Sequence, residues 1–223
     1  MCIFVAIATP YGYILGSQRD DQKNRKTSLV TSFDATKKYQ YVLDKQSGGT
    51  RFSHHTDGIY AVLLNKAPSI NNISSLQTRG NLPLQCMDIL SYNNDINQVM
   101  NNISSNLASY NSFILSVGKF IDNQLKHTIL ERDATQQQSL QYNRIWWLFL
   151  SASTLYISEI HEVWSQEALK LTDKNELLSF LVDRQYDIKS PYCIDKVWVV
   201  TKSRTIVVYQ RLANSTLYEH TVL

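Results

Sequence analysis

A cysteine, Cys2, stands directly behind the initiator methionine, at the head of the stretch "MCIFVAIATPYGYILGSQRDD". A thiol attacks carbonyl carbon only as the thiolate, so it needs a nearby base or a depressed pKa. Were Met1 removed, Cys2 would carry its own α-amine, whose unperturbed pKa of about 7.7–8.0 lets it accept the thiol proton near neutral pH. Cysteine is small enough to permit that removal. Arg19 and Asp20 follow at the far end of the same stretch. An arginine beside a thiol lowers its pKa, and a carboxylate orients an ammonium. A plainer reading stands beside this one. A cysteine opening a buried strand packs as a small hydrophobe, and Arg19 with Asp20 forms a surface ion pair at a strand end.

Other chemistries find no footing in the sequence. "SVGK" at 116–119 lacks the leading glycine and the trailing hydroxyl residue of a phosphate loop. "HEVWS" at 161–165 has Ser165 where a zinc-protease helix needs its second histidine, which leaves His161 as an ordinary helix-surface residue. His54 and His55 are adjacent, so on a strand they point to opposite faces and do not grip one metal. No G-x-S-x-G elbow occurs, and the aromatic residues read as core or sheet-face positions. The expectation is therefore no metal and no cofactor. Cys2, Cys86 and Cys193 are odd in number and far apart, which suits a reducing compartment rather than a disulfide framework. Cys86 and Cys193 read as inert fillers.

The formal net charge of +3 is too small to argue for nucleic acid. The one basic cluster, Lys23, Arg25 and Lys26, reads as a solvated loop. Residues 2–9 are apolar, but no basic segment precedes them and no long apolar run follows, so neither a signal peptide nor a membrane span is expected. A cytoplasmic location is expected. The glycosylation-type triplets at Asn72, Asn102 and Asn214 then carry no weight.

The elements that would position Cys2 come next. Residues 2–9 read as a buried strand, Pro10-Tyr11-Gly12 as a turn, and 13–17 as the returning strand, with Arg19 just past its end. The polar stretch 22–38 reads as loop and 39–43 as a short strand. "SGGT" at 47–50 marks a sharp turn in which glycine supplies positive φ. Residues 58–65 read as a strong apolar strand, and 66–81 as a long loop. A helix begins near Pro83 with Asn81 as a cap, and a second spans 95–107, capped by Asn94 or Asp95. Strands are expected at 112–117, 124–131 and 144–150. Helices follow at 159–171 and from an Asp173 cap to about residue 184, with Leu177, Leu178, Leu181 and Val182 inward. A meander closes the chain at 196–201, 205–212 and 216–222, with "TKSRT" and "ANST" as its turns. Strands at both ends and helices between predict an α+β arrangement of antiparallel sheets covered by helices in one domain, 1–223.

These motifs resemble the NRDE family, also called the transport and Golgi organisation protein 2 family. "MCIFV" and "LGSQRDD" resemble its Met-Cys-Ile start and its Asn-Arg-Asp-Glu tetrad, here Gln18-Arg19-Asp20-Asp21. "GGT" at 48–50 resembles its Gly-Gly-Thr-Trp, with Arg51 in place of the tryptophan. "IYAVLLN" at 59–65 resembles its strand ending in Thr-Asn, "RG" at 79–80 its Arg-Gly helix approach, and "YNSFIL" at 110–115 its Tyr-Asn-x-Phe strand. The matches cover roughly the first half of the chain. The family is similar to N-terminal-nucleophile hydrolases, which implies a four-layer αββα sandwich of two antiparallel sheets between helices. By that resemblance Cys2 is nucleophile and base, Arg19 and Asp20 tune it, and the Asn65 side-chain amide donates to the oxyanion. Asn111 and Arg51 are implied to contact substrate. The plain reading of Asn65 is a residue that satisfies a turn, and of Gly48 and Gly49 that they serve backbone geometry.

Two functions follow. The first is an N-terminal-cysteine amidohydrolase or acyltransferase acting on a small amide or thioester. The second is a non-catalytic carrier or chaperone for a small apolar ligand such as a lipid, acyl-CoA or haem, on the same fold with the terminus unprocessed. A structural member without activity is a third reading. Resemblance implies a fold more directly than a reaction, and nothing in the sequence specifies the oligomeric state.

Overall fold

A computed structural model describes residues 3–22, 25–34, 37–66, 76–93, 95–133, 138–145, 147–151, 173–177, 179, 199–211 and 215–222. Two antiparallel sheets carry the architecture. The smaller contains β1 (Ile3–Thr9), β2 (Gly12–Gln22), β10 (Trp147–Ser151), β11 (Val199–Gln210) and β12 (Ser215–Val222), in the order β10-β1-β2-β11-β12. The larger runs in simple sequence order through β3 (Thr27–Asp34), β4 (Lys37–Asp44), β5 (Thr50–His55), β6 (Ile59–Asn65), β7 (Phe113–Ile121), β8 (Gln124–Asp133) and β9 (Gln138–Ile145).

Strand periodicity explains how the layers stack, since alternate side chains face opposite sides of a sheet. Along β6, Tyr60, Val62 and Leu64 face the smaller sheet and pack with Phe4, Ala6, Tyr13, Leu15 and Val207. Ile59, Ala61 and Leu63 face the other way, against Leu82, Cys86 and Met87 of helix α1 (Leu82–Asn93) and Val99, Met100 and Ile103 of helix α2 (Ile96–Ser104). Both faces of β6 are buried, which is why its sequence is a continuous apolar run rather than an alternation. In β1, Ile3 and Val5 are buried on the face away from Phe4 and Ala6, so the smaller sheet is covered there as well.

Asp95 caps α2, its side chain accepting from Asn97 N at 2.8 Å. The chain enters α1 through a single 3₁₀ turn, Arg79–Asn81, in place of a cap at Asn81. Asp173 caps the turn that follows it, accepting from Asn175 N at 2.7 Å and Glu176 N at 2.9 Å, and Leu177 is fully buried. The helix expected over 159–171, His161 and Cys193, the remainder of the Asp173 helix, and most of the 66–81 loop lie outside the described residues.

Several expectations are corrected. β2 extends to Gln22, so Arg19 lies inside a strand rather than past its end. Residues 27–34, expected as loop, form β3, because Leu29, Val30 and Thr31 pair in register with Val42, Tyr41 and Gln40. The stretch 144–150, expected as one strand, ends β9 and supplies most of β10, which belong to different sheets. A continuous apolar run gives no sign of such a switch. "TKSRT" is no turn: β11 runs straight through it, with a register shift between Thr201 and Ser203. β5, Thr50–His55, was not expected as an element of its own. "SVGK" lies within β7, where Gly118 leaves room for the Tyr60 ring.

Candidate functional site

The site is organised around Asp44, the last residue of β4. Its backbone N–H donates to Gly49 O at 2.8 Å and its carbonyl accepts from Gly48 N at 2.9 Å, closing the turn into β5. Its Oδ1 accepts from Gln46 N at 3.0 Å, an Asx-type contact that fixes the same turn. Gly48 takes φ +70 there, the left-handed region that glycine enters without steric cost. The other carboxylate oxygen, Oδ2, accepts from Arg19 Nη2 at 3.0 Å and pairs with Arg25. Burial works to raise the Asp44 pKa, but the Arg25 hydrogen bond, the Gln46 N–H and the charges of Arg19 and Arg25 outweigh it and bring the carboxyl down to about 2.

Gly49 meets the Arg79–Asn81 turn backbone to backbone. A Cβ on Gly49 would lie 2.7 Å from Gly80 Cα, and one on Gly80 would lie 3.0 Å from Gly49 Cα. The paired glycines in "GGT" and "RG" thus have one shared physical reason, which is this close approach. Arg79 Nη1 donates to Ser112 O at 2.6 Å, tying the turn to the lead-in of β7.

Between these segments lies a pocket of about 350 Å³, bounded by Arg25, Asp44, Arg51, Asn65, Arg79 and Asn111 among others. Asn65 ends β6 opposite Phe113 of β7. Its Oδ1 is buried and has no hydrogen-bond partner among the described residues. The turn-satisfying role expected on the plain reading therefore does not account for that oxygen. Burial, together with the charges of Arg51 and Arg25, lowers the Arg79 pKa to about 10, so it stays protonated at neutral pH.

Asn65, Asn111 and Arg51, chosen from sequence, all line this pocket. Arg19 is 6% exposed and reaches the pocket wall through Asp44, so it is not the surface residue of the plain reading. Asp20 lies in β2 in register with Thr201. Cys2 lies outside the described residues; the β1–β2 ladder begins at the pair Ile3 and Gln18, next to Arg19. Sequence reasoning missed Asp44, whose signal was an aspartate closing a strand before a glycine turn. It also read Arg25 as a solvated loop residue, whereas Arg25 pairs with Asp44 on the pocket wall. Cys86 is fully buried, and burial pushes its thiol pKa up, in keeping with an inert filler.

Two antiparallel sheets packed face to face, with helices on the larger one and a polar pocket at the strand ends, make the fold an α+β sandwich. The chain superposes on the Caenorhabditis elegans N-acylethanolamine-hydrolyzing acid amidase ortholog over 100% of both chains, with a TM-score of 0.64 and 13% sequence identity. The family model for Transport and Golgi organisation 2 matches residues 1–206, and the chain belongs to that family. The match runs well beyond the first half, to which the quoted motifs are confined. No curated protein matches the chain by sequence comparison. No helix among the described residues is long and apolar enough to cross a membrane.

Proposed function

We propose that the protein is an N-terminal-cysteine amidohydrolase or acyltransferase acting on a small amide or thioester, with Cys2 as nucleophile after Met1 is removed. The observation that carries this reading is the position of Asn65, which ends β6 and brings a side-chain amide to the wall of the pocket. The oxyanion role needs the Nδ2–H turned toward the ligand, and Oδ1 is the amide atom that is buried. Arg19 supports the reading from the other side. It sits next to the first β1–β2 pair and is held by a carboxylate that lines the same pocket.

In the proposed reaction the α-amine of Cys2 takes the thiol proton as Sγ bonds to the carbonyl carbon. The carbonyl electrons move to oxygen, and the Asn65 Nδ2–H stabilises that oxyanion, a role for which one donor contributes about 3 kcal/mol. The ammonium returns the proton to the leaving amine or thiolate as its bond to carbon breaks. Water, deprotonated by the same amine, then cleaves the acyl-thioester and releases a carboxylic acid. An acyltransferase differs only in the acceptor that replaces water. Arg19 favours the thiolate electrostatically, and Asp20 is proposed to orient the ammonium. The apolar-ligand carrier fits less well, because arginine, asparagine and aspartate side chains dominate the described polar wall.

Intact-mass measurement on the native protein tests the central point. The expected mass lacks one methionine, and retention of Met1 would sink the terminal-base mechanism. Iodoacetamide labelling across pH gives a second readout. Cys2 is expected to react near neutral pH faster than an ordinary thiol, while buried Cys86 stays silent until unfolding.

A further inference from the structure

We propose that a second pocket, walled by the two helices, binds a small neutral polyhydroxylated molecule, a monosaccharide or a cyclic polyol. Among the described lining residues it shares only Gln77 with the first pocket. The inference stands on this second pocket alone and on no part of the hydrolase reading.

The pocket holds about 380 Å³, at the small end of ligand pockets. Helix α1 contributes Gln85, Asp88 and Ile89, which share one helix face at the spacing i, i+3, i+4. Helix α2 contributes Asn102 and Ile103. Asn106 and Tyr110, which flank the 3₁₀ turn Leu107–Ser109, extend the wall. Gln77 completes it, with its backbone N–H donating to Ser109 O at 2.9 Å. Apolar and polar groups separate by depth. Ile103 and Tyr110 are buried and make the floor, while Gln77, Gln85, Asn102 and Asn106 are exposed and make the rim. Two contacts fix this frame. Tyr110 meets Phe113 edge to face at 6.2 Å, and the Tyr39 hydroxyl donates to Asp88 Oδ1 at 2.9 Å.

A carboxamide both donates and accepts, as a hydroxyl group does, so a rim of four carboxamides matches a molecule edged with hydroxyls. A pyranose or a cyclitol has such an edge, and its ring C–H groups suit a floor of isoleucine and tyrosine. Charge excludes the other ligand classes. No lysine, arginine or histidine lines the pocket among the described residues, and the Asp88 carboxylate opposes an anion. The same neutrality runs through the helical layer. Charged residues make up 18% of the chain, yet from Asn81 to Gly118 they are Asp88 and Asp95 alone. A phosphate or a nucleotide would need the cations that this layer lacks. A hydrocarbon ligand would leave four amides facing carbon. The single carboxylate, engaged by the Tyr39 hydroxyl, is outnumbered by those amides, which favours hydroxyls over an amine.

The test is saturation-transfer-difference NMR on the full chain. The neutral probes are glucose, galactose, mannose, N-acetylglucosamine and myo-inositol, with glucosamine and glucose phosphate as charged counterparts. Saturation is expected at the ring protons of at least one neutral probe. Gln85→Leu and Asn102→Leu each remove one rim carboxamide from an exposed helix position, so the fold is kept. Each should weaken the best neutral probe by about 2–10-fold, the worth of one neutral hydrogen bond, and the double variant by more. Asn101→Leu, exposed on α2 but outside the lining, should leave the affinity unchanged. Silence from every neutral probe overturns the proposal. Binding that survives the double variant overturns it as well, as does an equal loss in Asn101→Leu. A response from glucosamine alone makes this an amine site, and one from glucose phosphate alone an anion site; either result overturns the polyol assignment.

Discussion

Acid should unfold this protein through two histidines buried in its larger sheet. His54 Nε2 and the Tyr13 hydroxyl are hydrogen-bonded at 2.7 Å across the two sheets, and His127 Nδ1 pairs with the Tyr60 hydroxyl. Tyr13 stacks on Tyr209 with ring centroids 5.1 Å apart, so an aromatic layer surrounds the pair. Burial holds His54 down to about 3, with a smaller push from His55, and burial alone holds His127 down to about 3. Both native values lie below the ordinary 6.5, so the stability tied to the neutral rings is complete above pH 6.5 and is lost as pH falls toward 3. At pH 5 the unfolded chain binds roughly one proton on each ring and the native chain almost none. Two protons correspond to a slope of about 2.7 kcal/mol per pH unit. Over the window from pH 6.5 to about 3 the two rings together remove up to about 9 kcal/mol, comparable with a typical domain stability of about 5–15 kcal/mol. The perturbation is His54→Gln, which keeps a polar partner for Tyr13 but does not titrate. Urea unfolding between pH 7 and pH 5 should show the stability lost over that range shrink by about 2 kcal/mol relative to wild type, the difference in slope reaching about 1.4 kcal/mol per pH unit near pH 5. His55, whose pKa is also lowered by burial, contributes equally to both proteins and cancels. An unchanged slope would refute the claim that His54 is neutral in the native core.

Further expectations concern the pocket. Asn65→Ala should lower kcat by about 10²–10³ on an amide substrate with a smaller change in KM, as loss of an oxyanion donor does; an unaltered kcat removes Asn65 from the reaction. Asp44→Asn should cost about 2 kcal/mol at pH 7, from the drop of its carboxyl from 3.8 to about 2. Because that pKa is depressed, the contribution is present above 3.8 and fades as pH falls toward 2, so urea unfolding at neutral pH shows the full deficit. Gly80→Ala should destabilise by about 1–3 kcal/mol in thermal or urea unfolding, since its Cβ would sit 3.0 Å from Gly49 Cα and the neighbour is backbone that must shift.

Much of this was legible in the sequence where local signals and packing agreed. The β6 run "IYAVLLN", the "SGGT" turn and the Asp95 cap all declare themselves through short-range chemistry, and the structure has each in place. The strands that went unread depend on partners far along the chain. Thr27–Asp34 looks like polar loop until β4 lies beside it, and "TKSRT" looks like a turn until β2 carries β11 through it. The site divides the same way. Asn65 and Asn111 stand at strand ends and could be picked from the resemblance, whereas Arg25 and Arg79 acquire meaning only when folding places them around one pocket. Asp44 is a special case, because its carboxylate joins Arg19, 25 residues away in sequence, to a turn of its own making.

The meeting of Gly49 and Gly80 also bears on how this scaffold diversifies. The width of the pocket at that point is set by two stretches of main chain in contact, with no side chain between them. Mutation elsewhere on the wall can therefore exchange charge for apolar surface, as at Arg51, without altering the aperture. The glycines act as a fixed gauge, and the residues around them form an interchangeable lining. New ligand preferences become reachable by single substitutions that leave the frame untouched.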